Sequence, residues 1–338
     1  MRSFIYQQAR TAAAAAKAGA FAAATGGPGP RLLLAGGTTL VDLMKLDVMR
    51  PAEVVDINAL ASGPMGRIKA DRRGLRLGGL VRMAEAADHP GIRRGYPMIA
   101  QSLALAASPQ IRNMASLAGN VLQRTRCPYF RDVSYTECNK RNPGAGCAAI
   151  DGHNRMHAVL GTSNHCIATY PGDFAQALIA LDAMVDIVGA RGGRRIPFAD
   201  LHRRPGRTPD VETTLSPGDV IVSFFIPAAP CARRSLYLKI RDRESYEFAL
   251  VSAAVALDLR QGRVHDARIA LGGVATVPWR VTSAEVALKG KAIDERTMAS
   301  AAQVAFAGAR RREHNAFKIA LGRRVLIRAL GEAAAMEL

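Results

Sequence analysis

One stretch constrains this chain more than any other. Ser116-Leu117-Ala118-Gly119-Asn120 is a Gly-Asn turn among small residues, and it runs into a segment holding three of the five cysteines, Cys127, Cys138 and Cys147. Gly and Asn tolerate dihedrals that other residues resist, so backbone amides at such a turn can approach an anion closely. Cysteines set among Pro, Asn and Gly grip a metal or form a disulfide. The stretch therefore points to two cofactors side by side, a phosphate-bearing organic one and a metal cluster.

The cysteines sharpen this. Cys127, Cys138, Cys147 and Cys166 share one region, while Cys231 stands alone after Pro230. An odd count in a chain with no evident export signal argues against a disulfide framework. Four plus one fits a four-ligand site and a spare thiol. The spacing Cys-x10-Cys-x8-Cys-x18-Cys is unlike the paired C-x2-C knuckles of zinc ribbons. Cys127-Pro128 and Asn142-Pro143-Gly144-Ala145-Gly146-Cys147 hang these ligands from turns. An iron–sulfur cluster, a structural zinc and free thiols all stay open on this pattern. His153, His157 and His165 lie nearby and read as surface or core histidines before they read as ligands.

Upstream, an alanine-rich helix over residues 11–24 is broken by Gly26-Gly27-Pro28-Gly29-Pro30. Residues 31–34 read as a short strand, Ala35-Gly36-Gly37-Thr38-Thr39 as a turn, and Leu40 opens a helix. Strand, Gly-Gly-Thr and helix start form a phosphate-cradling arrangement, although most such turns are only turns. Two amide-rich loops suit a dinucleotide, and with no G-x-G-x-x-G after a strand a nicotinamide Rossmann site is not expected. Asp173 precedes an apolar helical pattern, either as its N-cap or as an acceptor for a ribityl or ribose hydroxyl.

Strands are expected at 53–57, 68–70, 74–78, 165–169, 184–188 and 220–226, with helices at 83–88 and 97–107. Short alternating elements indicate an α+β fold. Past residues 227–230 the texture changes to three antiparallel strands (236–240, 248–259, 264–271) and helices at 283–289, 294–310 and 316–330. We therefore divide the chain into residues 1–228, with parts at about 1–58 and 59–228 and a cysteine insertion at about 124–166, and residues 229–338. Lys239, amid apolar neighbours, is a snorkelling strand residue or a cation aimed across that boundary. The net charge of +18 suits an acidic protein partner or a basic soluble surface. With aromatics at 5%, stacking platforms for bases are scarce and nucleic acid is not the expected partner. No apolar run approaches the roughly 18 residues of a membrane helix. The first residues make a poor signal peptide. No Ser-His-Asp or paired-carboxylate pattern indicates hydrolysis.

Leu34-Ala35-Gly36-Gly37-Thr38-Thr39-Leu40 with Met44-Lys45, taken together with Ser116-Leu117-Ala118-Gly119-Asn120, resembles the two flavin-pyrophosphate loops of FAD-binding subunits in the xanthine dehydrogenase, or molybdenum hydroxylase, family. The resemblance covers nearly the whole chain. Gln123-Arg124-Thr125-Arg126-Cys127-Pro128-Tyr129-Phe130 and Cys138-Asn139-Lys140-Arg141 are similar to the periplasmic aldehyde oxidoreductase branch, whose flavin subunit carries an extra [4Fe–4S] cluster. A similar insertion occurs in 4-hydroxybenzoyl-CoA reductases. The resemblance implies a two-part FAD-binding domain of the vanillyl-alcohol-oxidase type, followed by a three-stranded antiparallel sheet with a helix bundle.

Carried over by position, Leu32, Leu33, Leu34, Ala35, Gly36, Gly37, Thr38, Thr39 and Leu40, with Ser116, Gly119 and Asn120, would hold the FAD phosphates. Asp173 matches an acidic flavin contact, Ile221 or Val222 the apolar residue beside the isoalloxazine, and Lys239 the lysine facing the flavin. Cys127, Cys138, Cys147 and Cys166 match cluster ligands. Thr39 stands where Asn is common in the family, and Ser116-Leu117 where Thr-Ile or Thr-Thr is. The implied role is the electron-transferring middle subunit of a heterotrimer. A small subunit with two [2Fe–2S] clusters would feed the FAD, a large subunit with a molybdopterin cofactor would oxidise an aldehyde, and an external acceptor would take the electrons. The nearest rival is a 4-hydroxybenzoyl-CoA reductase-type subunit with reversed electron flow. A rival of another class is a basic zinc-stabilised binding module. The resemblance implies a periplasmic location, reached by co-export with a signal-bearing partner, or a cytoplasmic one.

Overall fold

The computed structural model describes residues 1–24 and 30–338. The Gly-Pro break at 26–30 thus lies, apart from Pro30, outside the described residues. Three sheets organise the rest. The first is parallel and short: β1 (Ile5–Gln8), β2 (Arg31–Leu34) and β3 (Glu53–Asp56) in the order β1-β3-β2, with α1 (Ala12–Ala24) and α2 (Leu40–Lys45) between the strands. Only central β3 is well buried, with Val54 and Val55 between its two neighbours and the Glu53 carboxylate paired with Arg31 of β2. Strand β1 was missed in the sequence reading because all four of its residues are exposed, which leaves no alternation to detect.

The second sheet is antiparallel: β4 (Ile68–Asp71), β5 (Gly74–Gly78), β6 (Met184–Gly189), β7 (Gly192–Pro197) and β8 (Val220–Pro227), in the order β4-β5-β8-β6-β7. Its inner face packs Leu75, Leu77, Val185, Phe224 and Ile226 against short helices. These are α3 (Met83–Asp88), α4 (Pro90–Gly95), α5 (Pro97–Ala104), α6 (Pro109–Met114) and α7 (Leu117–Val121), then α8 (Pro128–Arg131) in the cysteine segment and α9 (Phe174–Ala180). Proline opens α4, α5, α6 and α8, where its missing N–H costs nothing.

The third sheet comprises β9 (Ser235–Ile240), β10 (Val251–Arg260), β11 (Arg263–Gly272) and β12 (Trp279–Arg280), ordered β12-β11-β10-β9. It is the expected antiparallel trio with a two-residue fourth strand added. Helices α10 (Thr282–Leu288), α11 (Glu295–Ala305) and α12 (Phe317–Ala334) cover one face. Successive side chains of β10 serve different cores. Ala254 and Ala256 join the core of the α3–α9 helices, and Ala253, Val255 and Leu257 join that of α10–α12. This shared strand seats the third sheet against the helices of the first part, and the main cavity opens along the seam.

Two expectations are corrected. Residues 165–169 form no strand: Cys166 N donates to Ser163 Oγ, Ala158 N to Ile167 O and Tyr170 N to Ala275 O, so the backbone is satisfied piecemeal without a ladder. Asp173 does not cap α9. It adopts helical dihedrals, makes no cap bond, and turns its carboxylate towards the third sheet.

Candidate functional site

The two small-residue loops meet. A Cβ on Gly36 would come within 2.0 Å of Met114 O, so only glycine lets the β2–α2 loop lie on the end of α6. Gly37 follows with φ +73°, a left-handed turn that favours glycine. Arg82 ties the junction, donating to Met114 O and, at 3.0 Å, to Asn58 Oδ1, while Asn58 Nδ2 donates to Ala35 O at 2.8 Å. Among the described residues, the amides of Gly36, Gly37, Thr38 and Thr39 donate no hydrogen bond. A row of unpaired N–H groups at a turn is a natural anion cradle.

The second loop is different. Ser116 Oγ accepts from Gly119 N at 3.2 Å, capping α7, and the amides of Leu117 and Ala118 donate to Val81 O and Gly79 O. The Ser116 hydroxyl and the Gly119 amide therefore serve the helix, while the Ser116 amide donates no hydrogen bond among the described residues. Beside it this loop presents Asn120, whose buried Oδ1 has no partner among the described residues.

Between the loops and the third sheet lies a cavity of about 570 Å³, within the range of small-molecule sites. Thr38, Thr39, Asp42, Asn120, Arg126, Arg131, Asp173 and Lys239 line it, and Arg243, Tyr246, Glu247 and Phe248 of the β9–β10 connection form one side. Lys239 is buried and donates to an Asp173 oxygen at 2.7 Å and to Leu105 O at 3.1 Å. Tyr237 donates to the other Asp173 oxygen at 2.6 Å and meets Ser252 Oγ at 2.7 Å. Burial, then the nearby carboxylate, hold the Tyr237 hydroxyl well above its ordinary pKa, so it stays a donor. Arg131 grips Asp42 through two bonds of 2.7 and 3.1 Å, and Arg126 reaches the same carboxylate at 3.3 Å with a buried, unpartnered Nε. The Arg131 bond, foremost, holds Asp42 below the usual carboxylate range.

Of the residues carried over by resemblance, Thr38, Thr39, Asn120, Asp173 and Lys239 share this cavity. Leu32, Leu33 and Leu34 sit half-buried on β2 behind it, and Ala35, Gly36, Gly37 and Leu40 build the loop and the start of α2. Ile221 and Val222 are not brought to the cavity. Ile221 faces the main core, and Val222, just past a register shift in β8, packs towards α1. Sequence reasoning missed Asp42, Arg126, Arg131 and Tyr237, each of which reads alone as a surface charge or a strand aromatic.

A second cavity of about 190 Å³ adjoins the first, sharing Arg126, Pro171, Asp173, Glu247 and Phe248, and reaches Cys127 and His157. Beyond it, Cys127, Cys138, Cys147 and Cys166 line one small enclosed space with Phe130 and Lys140. All four are free thiols, and Cys138 and Cys147 face each other across an isolated backbone bridge. Burial pushes the Cys127 thiol up to about 12, whereas a hydrogen bond from Cys166 lowers Cys147 to about 6. His157 Nε2 lies 3.1 Å from Cys127 Sγ, and burial lowers this histidine to about 4, keeping it neutral. Among the described residues no three His, Cys, Asp or Glu side chains converge to hold one metal ion. Tetrahedral zinc needs sulfurs drawn to about 2.3 Å of one point. Four thiols around a space suit a multi-iron cluster better, although this space of about 10 Å³ must widen to admit one.

The relationships of the chain agree with this layout. Residues 3–229 match the family described as the FAD binding domain in molybdopterin dehydrogenase, and residues 236–333 match the CO dehydrogenase flavoprotein C-terminal domain. Over 339 residues the chain is 43% identical to the aldehyde oxidoreductase FAD-binding subunit PaoB of Escherichia coli (strain K12), covering 99% of both. It is 24% identical over 272 residues to the carbon monoxide dehydrogenase medium chain of Afipia carboxidovorans, covering 80% of this chain and 76% of that one. A chain of reconstituted CO dehydrogenase from Oligotropha carboxidovorans superposes with a TM-score of 0.76 at 21% identity over 99% of each, a likeness of fold. The chain belongs to the FAD-binding medium subunits of the xanthine dehydrogenase and CO dehydrogenase family, a family of oxidoreductases.

Proposed function

We propose that this chain is the FAD- and [4Fe–4S]-carrying electron-transfer subunit of a heterotrimeric, molybdenum-dependent aldehyde oxidoreductase. One observation carries the reading: a cavity with unpaired amides at one end adjoins, through a smaller cavity, a space enclosed by four thiols. The amides of residues 36–39 suit a diphosphate, and the orphaned Asn120 Oδ1 suits a hydroxyl donor. Arg126 and Lys239 offset anionic charge in a buried setting, and Asp173 with Tyr237 fixes where the Lys239 cation sits. Bound FAD would supply one- and two-electron exchange. The chain contributes position, charge and exclusion of water. Cys127, Cys138, Cys147 and Cys166 would hold the cluster, with His157 packed neutral against Cys127.

The partners we propose are a small subunit with two [2Fe–2S] clusters and a large subunit with the molybdopterin cofactor, with an external acceptor taking the electrons. We propose a periplasmic location, reached on a partner's signal, with the cytoplasm as the alternative. Native purification tests the reading. It should yield the chain with two further polypeptides and bound flavin, and a lone polypeptide without flavin would overturn it.

A further inference from the structure

The outer face of the five-stranded sheet is covered by α1 only at the Val188, Val220 and Val222 end. At the other end Arg76 and Arg195 stand over the Phe225 ring, at 5.4 and 5.6 Å from its centre. Both are tethered to the Asp186 carboxylate, Arg76 through Nη1 and Arg195 through Nε at 2.6 Å, and Arg76 Nη1 also donates to Ser223 Oγ at 2.9 Å. Two guanidinium planes are thus held still by one carboxylate and one aromatic ring. Among the described residues, Arg76 Nε and Nη2 and both terminal nitrogens of Arg195 donate no hydrogen bond. Lys69 and Arg73 flank them around an open cavity of about 300 Å³, and Asp71 is its one carboxylate.

We infer that this face docks an acidic, extended segment of a partner polypeptide, its carboxylates seated in the forks of Arg76 and Arg195. The inference rests on the proposed complex for the existence of a partner, but not on flavin or cluster. Guanidinium forks bind carboxylates bidentately, and arginines packed on an aromatic are typical of the residues that dominate interfaces. The side chains of Arg76, Arg195, Lys69 and Arg73 are 42%, 45%, 69% and 83% exposed, so the cavity is an open groove rather than an enclosure for a small molecule. A second copy of the chain is disfavoured, because it would bring the same cations and a net charge of +18. Strand β4 is an edge strand beside the groove, able to pair with an extended backbone.

The test uses the natively purified assembly and a zero-length carbodiimide, which joins a lysine amine to a carboxylate in contact with it. Mass spectrometry should find Lys69 coupled to an Asp or Glu of a co-purifying polypeptide. Coupling to Asp71 alone, or none, would overturn the inference. The highly exposed pair Lys69→Glu with Arg73→Glu should weaken association at least tenfold and flatten its salt dependence, leaving the visible spectrum unchanged. Arg296→Glu with Arg311→Glu, an equal charge change elsewhere, should stay within twofold. Equal weakening by both pairs would reduce the effect to net charge and overturn the docking site. If the chain purifies alone, the proposed complex fails, and octaglutamate titrated onto the full chain decides the docking question separately. Binding lost in Lys69→Glu with Arg73→Glu supports the site, and binding unchanged overturns it.

Discussion

Lys239 Nζ lies 2.7 Å from Asp173 Oδ2, joining residues 66 positions apart, with side chains only 1% and 6% exposed. The pair closes the seam between the helices of the first part and the third sheet, and both members line the main cavity. A buried ion pair of this kind persists because its remaining polar atoms are satisfied, here by Tyr237 and Leu105.

Breaking that pair on one side should be costly. Lys239→Met or Asp173→Asn should each destabilise the chain by about 3–5 kcal/mol, because the surviving partner is left buried without its counter-charge or strong acceptor. Tyr237→Phe should cost about 1–3 kcal/mol. Denaturant unfolding measures all three, and the Lys239→Met/Asp173→Asn double variant should lose less than the sum of the singles.

The contact of Gly36 with Met114 holds the two loops together. Gly36→Ala places a methyl where Met114 O lies 2.0 Å away, so loop or helix must shift. A loss of about 1–3 kcal/mol follows, together with lower flavin content in the purified protein. Retention of full flavin at unchanged stability would show that the loops do not need this approach.

His202 provides an acid-sensitive site. Its ring is buried beside Val121 O, with Nδ1 unpartnered, and burial lowers its pKa from 6.5 to about 4. Between those values the unfolded chain binds the proton and the folded chain does not, so stability rises with pH across this window and falls as pH drops through it. The contribution approaches about 3 kcal/mol at pH 4, at about 1.4 kcal/mol per unit. Melting curves between pH 4 and 7 should show a slope to which His202 and the similarly buried His157 both contribute, and His202→Asn should reduce it while His157 keeps the rest.

The clamp from Asp42 to Arg126 and Arg131 fastens the cysteine segment to α2. Asp42 is partly exposed, so Asp42→Ala should cost only about 1 kcal/mol globally. Limited proteolysis should nevertheless cut residues 127–147 sooner in the variant.

The fold was largely legible where local chemistry dictates it. The Gly36-Gly37 turn, the proline-started helix α5 and the long apolar run of β10 all announce themselves, whereas the proline-started α4, α6 and α8, of four to six residues each, are too short to show a helical period. For Asp173 the sequence leaves a helix cap and a cofactor contact both open, because its position before α9 suits a cap while its actual partners, Tyr237 and Lys239, lie on β9, far along the chain. The resemblance took Ile221 and Val222 to the ring. The register shift in β8 points them instead into two different cores, which spacing alone does not register. In the second loop the Ser116 hydroxyl is taken by the Gly119 amide, which leaves the Ser116 N–H and Asn120 Oδ1 without partners among the described residues.

The most direct test of the central claim counts cofactors in the natively isolated protein and in Cys147→Ser. Wild type should carry FAD, and the variant should lose roughly four iron atoms with their acid-labile sulfide, as expected for one cubane cluster, while keeping its flavin. A colourless wild type, or unchanged iron in Cys147→Ser, would contradict it.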